Sequence, residues 1–398
     1  MASLYVHVPF CFHKCHYCDF YSFVDNRDRQ DAFVDRLERE LDALAAHAGP
    51  LRTIFVGGGT PTLLRADLWE RVLARVRSAF DLREIEEFSV ECNPETAGAE
   101  LFDVLVAGGV DRLSFGAQSF DPRHLKTLER WHDPASVERA IELARAAGIA
   151  RTSLDLIFAI PGQTLGEWSS DLERALALGT EHLSCYALTY EPNTAMTKRL
   201  SRGEFDAADH DLEADMLELT ADRLHAHGFE RYEVSNYARP GAACLHNLAY
   251  WRNEQWLAAG PSASGHAGGH RWKNVPRLDD YLLFDDAGYA PIVDHEPPDV
   301  RRALRELIMG GVRVAEGLDL AQLDTLSRDA ARSIAHETQN PASAEDSEKL
   351  REAIIRSIER EVRDGLLEVR GDCVAPTARG MNFADGIARR LMAASTPQ

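Results

Sequence analysis

From its first residues the chain alternates short apolar runs, rich in β-branched and aromatic side chains, with stretches whose apolar residues recur every three or four positions. That is the pattern of strands followed by amphipathic helices in a parallel sheet or barrel. Six runs stand out: Leu4 to Val8, Thr53 to Val56, Glu87 to Glu91, Arg112 to Gly116, Ser153 to Ile160 and Leu183 to Tyr190. Helical patterns such as Arg29 to Ala46 and Ala66 to Phe80 separate them. Six such units in about 200 residues predict an α/β fold of partial (β/α)6 barrel type. Ligands of such sheets gather at the carboxyl ends of the strands, and every unusual polar or glycine-rich cluster in this half of the chain follows one of the six runs.

Beyond residue 200 the spacing predicts a long amphipathic helix over Asp206 to His227, a strand over Glu230 to Val234, and a stretch dense in Gly, His and Trp from His246 to Trp272. Glu296-Pro297-Pro298 reads as a linker. The chain therefore divides into residues 1–290, the barrel with its ligand regions, and residues 291–398, a mostly helical domain. The latter closes with a helix to Asp364, a strand at Leu366 to Val369, a turn at Gly371-Asp372, a strand at Cys373 to Pro376 and a helix through Met392. Helix, short hairpin and helix outline a winged-helix-like module.

Charge removes one reading of that module. It holds 15 Lys and Arg against 19 Asp and Glu, a net of −4, and the whole chain has 44 against 64, a net of −20. A surface of that sign repels phosphate backbones, so no nucleic acid is expected, and a structural or docking role suits the module better. The longest apolar stretches, such as Leu154 to Ile160, fall far short of the roughly 20 residues of a membrane span. Met-Ala-Ser-Leu-Tyr at the start lacks the basic and apolar regions of a signal peptide, so a cytoplasmic location is expected. In that reducing compartment, seven cysteines with three of them inside eight residues point to metal or redox chemistry rather than to disulfides.

Those three are Cys11, Cys15 and Cys18, directly after the first predicted strand. Three thiolates in a compact loop leave one coordination position unfilled, which suits a cubane iron–sulfur cluster with one open iron. A Cys3His zinc site using His7, His13 or His16 stays open on the spacing alone. The second strand ends in Gly57-Gly58-Gly59-Thr60-Pro61, where missing side chains let the backbone approach a ligand. A cysteine loop and a glycine loop on neighbouring strands together resemble the radical S-adenosylmethionine (SAM) superfamily. The resemblance implies a [4Fe-4S] cluster on the three cysteines, with the amine and carboxylate of SAM on its fourth iron.

The remaining strand ends fit a nucleoside ligand: Glu91 ends the third run, Gln118 the fourth, and Asp155 interrupts the apolar fifth. A carboxylate among Leu, Ile and Phe needs a partner, either ribose hydroxyls or its own strand neighbours. Tyr5-Val6-His7-Val8-Pro9-Phe10-Cys11, Cys18-Asp19-Phe20, Glu91, Gln118 with Arg130, Leu154-Asp155-Leu156-Ile157 and Pro161-Gly162-Gln163-Thr164 resemble the oxygen-independent coproporphyrinogen III oxidase family along nearly the whole chain. Carried over position by position, Tyr5, Gly58, Gly59, Thr60, Glu91, Gln118, Arg130, Asp155 and Ala187 are the implied SAM contacts; no catalytic residue is implied.

Within that family the oxidases carry a fourth cysteine two residues after the third and a long arm before the cluster loop. Here Phe20 stands at the cysteine position and ten residues precede Cys11. His246-Asn247-Leu248-Ala249-Tyr250-Trp251 matches the H-N-x-x-Y-W that marks the HemW-type heme chaperone branch. The resemblance therefore implies a chaperone that binds heme and delivers it to acceptor hemoproteins, respiratory ones among them, and allows a homodimer. The alternative is SAM-dependent oxidative decarboxylation of coproporphyrinogen III. Read without the family, His246 is either an iron ligand oriented by Asn247, with Tyr250 and Trp251 as flat faces for a macrocycle, or a hydrogen-bonded core residue beside core aromatics. His266 and His270 are weaker ligand candidates.

Overall fold

The computed structural model describes residues 2–285, 287–337 and 344–395. Six parallel strands run in chain order through its centre: β1 (Ser3–Val8), β2 (Thr53–Gly58), β3 (Glu87–Cys92), β4 (Arg112–Gln118), β5 (Arg151–Phe158) and β6 (His182–Ala187). Helices Gln30–Ala45, Ala66–Ala79, Ala99–Ala107, Pro134–Ala147 and Leu165–Ala177 connect them. These are the six units that the apolar runs predict.

The sheet extends on both sides of these six. An antiparallel hairpin of β7 (Glu230–Arg231) and β8 (Asn236–Ala238) flanks β6. β9 (Trp256–Ala259) pairs parallel to β1, and antiparallel β10 (Ser264–Ala267), β11 (His270–Asn274) and β12 (Ile292–Glu296) follow outward, making twelve strands. The expected strand over Glu230 to Val234 is thus cut to two residues, because the Val234 amide turns away to Arg313 O at 3.1 Å. Ile292–Glu296, expected beyond the boundary at 290, is the outermost strand of the sheet. Pro297 and Pro298 follow directly, and proline cannot donate to a ladder.

Period-two alternation sorts the six parallel strands into two unlike faces. Leu4, Val6 and Val8, Ile54 and Val56, Phe88 and Val90, Leu113 and Phe115, Leu154, Leu156 and Phe158, and Leu183 are buried under the helices with Phe33, Leu37, Trp69, Val72, Phe102 and Trp168. The opposite positions are mostly polar or aromatic: Ser3, Tyr5 and His7; Thr53 and Phe55; Glu87, Ser89 and Glu91; Arg112 and Ser114; Ser153 and Asp155, then the aliphatic Ile157; His182, Ser184 and Tyr186. A closed (β/α)8 barrel packs its interior with Val, Ile and Leu. This concave face carries hydrogen-bonding groups instead and is left open as a lumen.

After Pro298 come helix Val300–Gly311, β13 (Leu318–Asp319), helices Leu320–Glu337 and Ala344–Arg363, β14 (Leu367–Arg370), β15 (Cys373–Pro376), and helices Ala378–Asn382 and Ala384–Ala394; the three strands form a small sheet ordered β13-β15-β14. This part has its own core of Leu304, Ile308, Leu323, Ile354, Val374 and Leu391. Helices with a short hairpin wing give the winged-helix-like outline. Among the described residues no helix is long and apolar enough to cross a membrane.

The helical part rests on the barrel through several contacts, among them Ala315 N to Tyr232 O at 2.9 Å and the Arg271–Glu306 ion pair, and one of them is a close backbone approach. A Cβ placed on Gly310 would run into the carbonyl oxygen of Trp251, at the end of helix Leu245–Trp251. Alanine normally favours a helix over glycine by about 1 kcal/mol. Gly310→Ala is expected to do the reverse, destabilising the protein by roughly 1–3 kcal/mol through overpacking. Thermal unfolding checks it, and a midpoint at or above the wild-type value would contradict the close packing.

Candidate functional site

The cysteine loop leaves β1 and returns beside it. Cys11 N donates to Phe23 O at 3.0 Å and Phe23 N to Pro9 O at 3.1 Å, closing the loop at its base. Cys11, Cys15 and Cys18 are partly buried free thiols. Cys11 Sγ lies 3.6 Å from Thr60 Oγ1, and Cys15 Sγ lies 3.7 Å from both Arg130 Nη1 and His13 Nε2. Burial would raise the Cys15 thiol, but His13 and Arg130 outweigh it and its pKa falls below the usual value; burial raises Cys18 to about 11.

This geometry separates the two metal readings. Four ligands around one zinc at bonds of about 2.3 Å would bring sulfurs to about 3.8 Å of each other. Cys11, Cys15 and Cys18 do not form such a group; among the described residues the one set of three metal-type donors within 4.8 Å is Asp121, His124 and Glu167. The histidines are also committed. His13 Nε2 donates to Glu129 O at 2.6 Å, both His7 nitrogens are bonded, to Tyr5 Oη at 3.0 Å and Tyr21 O at 2.8 Å, and His16 Nδ1 accepts from Arg199 at 3.1 Å. His13 stacks on Trp131 with centroids 4.3 Å apart, so His13 and His16 hold the loop in place. The spread thiols fit a cubane. The Asp121, His124 and Glu167 set is tied up by Arg123, which reaches both carboxylates, and by the Thr164–Glu167 capping box.

Above the strand ends lies a pocket of about 400 Å³. It brings together the three cysteines with Gly58, Gly59, Thr60, Glu91, Gln118, Arg130, Asp155 and Ala187. Tyr5, expected here, lies deeper, in a second chamber. The glycines are needed for a reason beyond ligand access. Gly58 has φ +110°, a Cβ there would meet the His7 ring at 2.5 Å, and one on Gly59 would meet Phe10 O at 2.6 Å. They let β2 close against the cysteine loop.

Arg130 enters the pocket because Glu129, left-handed at φ +57°, ends helix Pro122–Leu128 and turns the chain inward. Its guanidinium donates to Gly116 O at 2.7 Å and Asn93 Oδ1 at 3.2 Å, while Nε is buried without a partner. A buried cation with an orphaned donor suits a carboxylate. Asn93, which also donates to Thr60 Oγ1 at 3.1 Å, is a lining residue that the sequence reading missed. Its position in Glu91-Cys92-Asn93, just past a strand end, was the available signal. Glu91 and Asp155 complete the electrostatics. Burial, then Asp155, pushes Glu91 up to about 7, with the Gly58 amide at 3.1 Å as its hydrogen-bond donor. Burial likewise raises Asp155, which accepts from Ser114 Oγ at 3.1 Å. Two acids beside an arginine and three thiols fit an aminoacyl nucleoside: amine and hydroxyls toward the acids, carboxylate toward Arg130.

The pocket adjoins a chamber of about 610 Å³ in the lumen, with which it shares Phe20, Glu91, Ser114, Asp155 and Tyr186 as lining residues. Its walls include Tyr5, Tyr21, Phe55, Tyr232, Tyr250 and Trp256. Helix Leu245–Trp251 borders it, held by Glu87, which accepts from Leu245 N at 2.9 Å and His246 N at 3.2 Å. His246 is fully buried; Nδ1 bonds Thr53 Oγ1 at 2.8 Å and Nε2 bonds Tyr250 Oη at 3.0 Å. Burial lowers its pKa to about 3. Both ring nitrogens are thus engaged, as in the hydrogen-bonded reading, and the residue lines the chamber. Asn247 and Tyr250 line the chamber, Asn247 donating to Tyr232 Oη at 3.4 Å. Trp251, expected beside them, is not a lining residue: it ends the helix at Gly310, and Trp256, 4.6 Å from Tyr250, supplies the indole face. His266 bonds Glu254 O at 2.9 Å, and His270 pairs with His295 on the outer strands; neither lines the chamber.

Residues 5–175 match the model of the radical SAM superfamily. The heme chaperone HemW of Mycobacterium tuberculosis strain H37Rv is 36% identical over 395 residues, covering 98% of this chain and 94% of that one. HemW of Escherichia coli strain K12 is 40% identical over 266 residues, 66% of this chain and 69% of that one. Among solved structures, coproporphyrinogen III oxidase HemN from Escherichia coli, described as a radical SAM enzyme, superposes with a TM-score of 0.80 at 22% identity, covering 98% of this chain and 89% of that one. This last likeness shows a shared fold.

Two outcomes are expected. Anaerobic reconstitution should give about four irons per chain. Alanine at Cys11, Cys15 or Cys18 should abolish the iron absorbance, and alanine at Cys92, Cys185, Cys244 or Cys373 should not; stoichiometric zinc without iron would contradict it. The second concerns Glu91, whose folded pKa is raised above the unfolded one. The stability given by its protonation is complete below about pH 4 and fades as pH rises through 7. At pH 8 Glu91→Gln should therefore stabilise the apoprotein, by up to about 3 kcal/mol, while weakening SAM binding. Denaturant unfolding and SAM titration check the pair.

Proposed function

Because the chain belongs to the HemW family of heme chaperones and to the radical SAM superfamily, we propose that it carries heme in the lumen chamber, beside SAM and a [4Fe-4S] cluster in the adjoining pocket. Cys11, Cys15 and Cys18 would hold the cluster, and Gly58, Thr60, Glu91, Gln118, Arg130, Asp155 and Ala187 would hold SAM. So placed, the cluster supplies one-electron chemistry to SAM. The observation that carries the heme assignment is the chamber itself, a cavity of about 610 Å³ walled by aromatic side chains and adjoining the other pocket. Flat apolar walls with a few convergent polar groups suit a planar macrocycle. The chaperone would deliver heme in the cytoplasm to acceptor hemoproteins, respiratory ones among them, where reducing conditions keep its seven cysteines free.

In this reading His246 builds the wall. Its Nδ1–H to Thr53 fixes the ring, and its Nε2 holds the Tyr250 hydroxyl, which sets the Tyr250 face against Trp256. Asn247 ties the same helix to Tyr232. Phe20, where the oxidases of the family carry a fourth cysteine, favours the chaperone over the oxidase.

The test offers heme and coproporphyrinogen III, separately and without oxygen, to the reconstituted protein with SAM and a reductant. Heme should bind with a shifted Soret band and coproporphyrinogen III should remain unconverted. Ser264→Trp, at an exposed position lining the chamber, should weaken heme binding at least tenfold with the cluster spectrum unchanged. Equal binding by that variant would place heme elsewhere, and steady turnover of coproporphyrinogen III would install the oxidase.

A further inference from the structure

The chamber walls hold a cation that the fold does not use up. Arg112 begins β4 on the concave face and is 2% exposed. Its guanidinium makes a single hydrogen bond, to Ala242 O at 3.2 Å, and no ion pair among the described residues. The acids around it are engaged elsewhere. Glu87 accepts the Leu245 and His246 amides, and Asp155 accepts from Ser114. An arginine that reaches the lumen with most of its five donors unspent is costly to bury unless something planar and anionic completes it. Tyr232, Asn236 and Asn247 are three further polar groups lining the same chamber. The chamber's other cation, Lys273 on β11, is exposed and is a rim residue.

We propose that Arg112 is the carboxylate anchor of the chamber: its ligand is a planar aromatic macrocycle bearing carboxylate side chains, inserted with a carboxylate on Arg112 and its apolar edge among Tyr5, Phe55, Tyr250 and Trp256. This rests on the heme reading above and deepens it by fixing which end of the ligand enters first and what chemical feature is selected. A guanidinium presents two parallel N–H groups to a carboxylate, and an ester removes both the charge and that symmetry. Rejection of a ligand that leaves a buried polar group unpaired is strong, whereas extra bulk alone is discriminated weakly.

The test compares heme with heme dimethyl ester on the cluster-loaded protein, by titration of the Soret band. The wild type should bind heme at least tenfold more tightly than the ester. Arg112→Gln should lower heme affinity at least tenfold and leave that of the ester within about twofold, removing the discrimination. A SAM-induced change in the electron paramagnetic resonance spectrum of the reduced cluster, retained in the variant, shows that the barrel is intact. Should Arg112→Gln misfold, the heme-to-ester ratio of the wild type still decides, since it needs no variant. Equal binding of heme and ester by the wild type would overturn the proposal. So would discrimination that survives in Arg112→Gln and disappears in Lys273→Met, which would put the carboxylates at the rim. These failures differ from failure of the heme reading, in which Ser264→Trp leaves binding of both ligands untouched.

Discussion

The polarity of one sheet face decides what this protein can be. Six parallel strands place apolar residues beneath their helices at every second position, and that layer supplies the hydrophobic core. The alternate positions are mostly Ser, Thr, Tyr, His, Glu, Asp and Arg, with Phe55 and Ile157 among them, and they cannot collapse on one another into a dry interior without leaving charges and hydroxyls unpaired. The strands therefore stay curved around an open space. The polar groups are linked in short chains across neighbouring strands, Ser3 to Thr53 to His246 and Ser153 to His182 to Tyr232, which fix side chains without filling the cavity.

The two compartments of that space differ in what they leave unsatisfied. At the carboxyl ends of the strands it is charge: Arg130 with an orphaned Nε, and Glu91 and Asp155 both pushed toward protonation by burial. Such an arrangement costs the apoprotein stability that a zwitterionic ligand would restore, the usual exchange of fold stability for binding. Deeper in the lumen the surplus is aromatic surface, with Arg112 as a single buried cation. The helix that carries His246 and Tyr250 is anchored by Glu87 at its start and pressed by Gly310 at its end, so the helical C-terminal part helps to set the chamber wall.

How much of this was legible beforehand follows from the range of each interaction. The cysteine loop, the glycine loop and the order of the six strands are local patterns, and the structure places them where the spacing predicts. Gln118 was legible from its place at a strand end, but Arg130 was named only through a family resemblance, since periodicity alone makes it a helix-end cation. Its entry into the pocket depends on one left-handed residue, Glu129, that no hydrophobic pattern encodes. Asn93 was missed for a similar reason: its partners Thr60 and Arg130 are more than thirty residues away in sequence.

By itself the sequence determined the sheet, its inward polarity and the cluster loop, because strand alternation and ligand spacing act over a few residues. Only the tertiary structure decided which of two tryptophans faces the chamber, that His246 spends both ring nitrogens on Thr53 and Tyr250, that the sheet continues to Glu296, and that Arg112 reaches the lumen with its donors unspent. Those outcomes depend on which distant side chains arrive to take up a hydrogen bond or cover a face. That competition is settled only when the strands and the helix beside them are packed together.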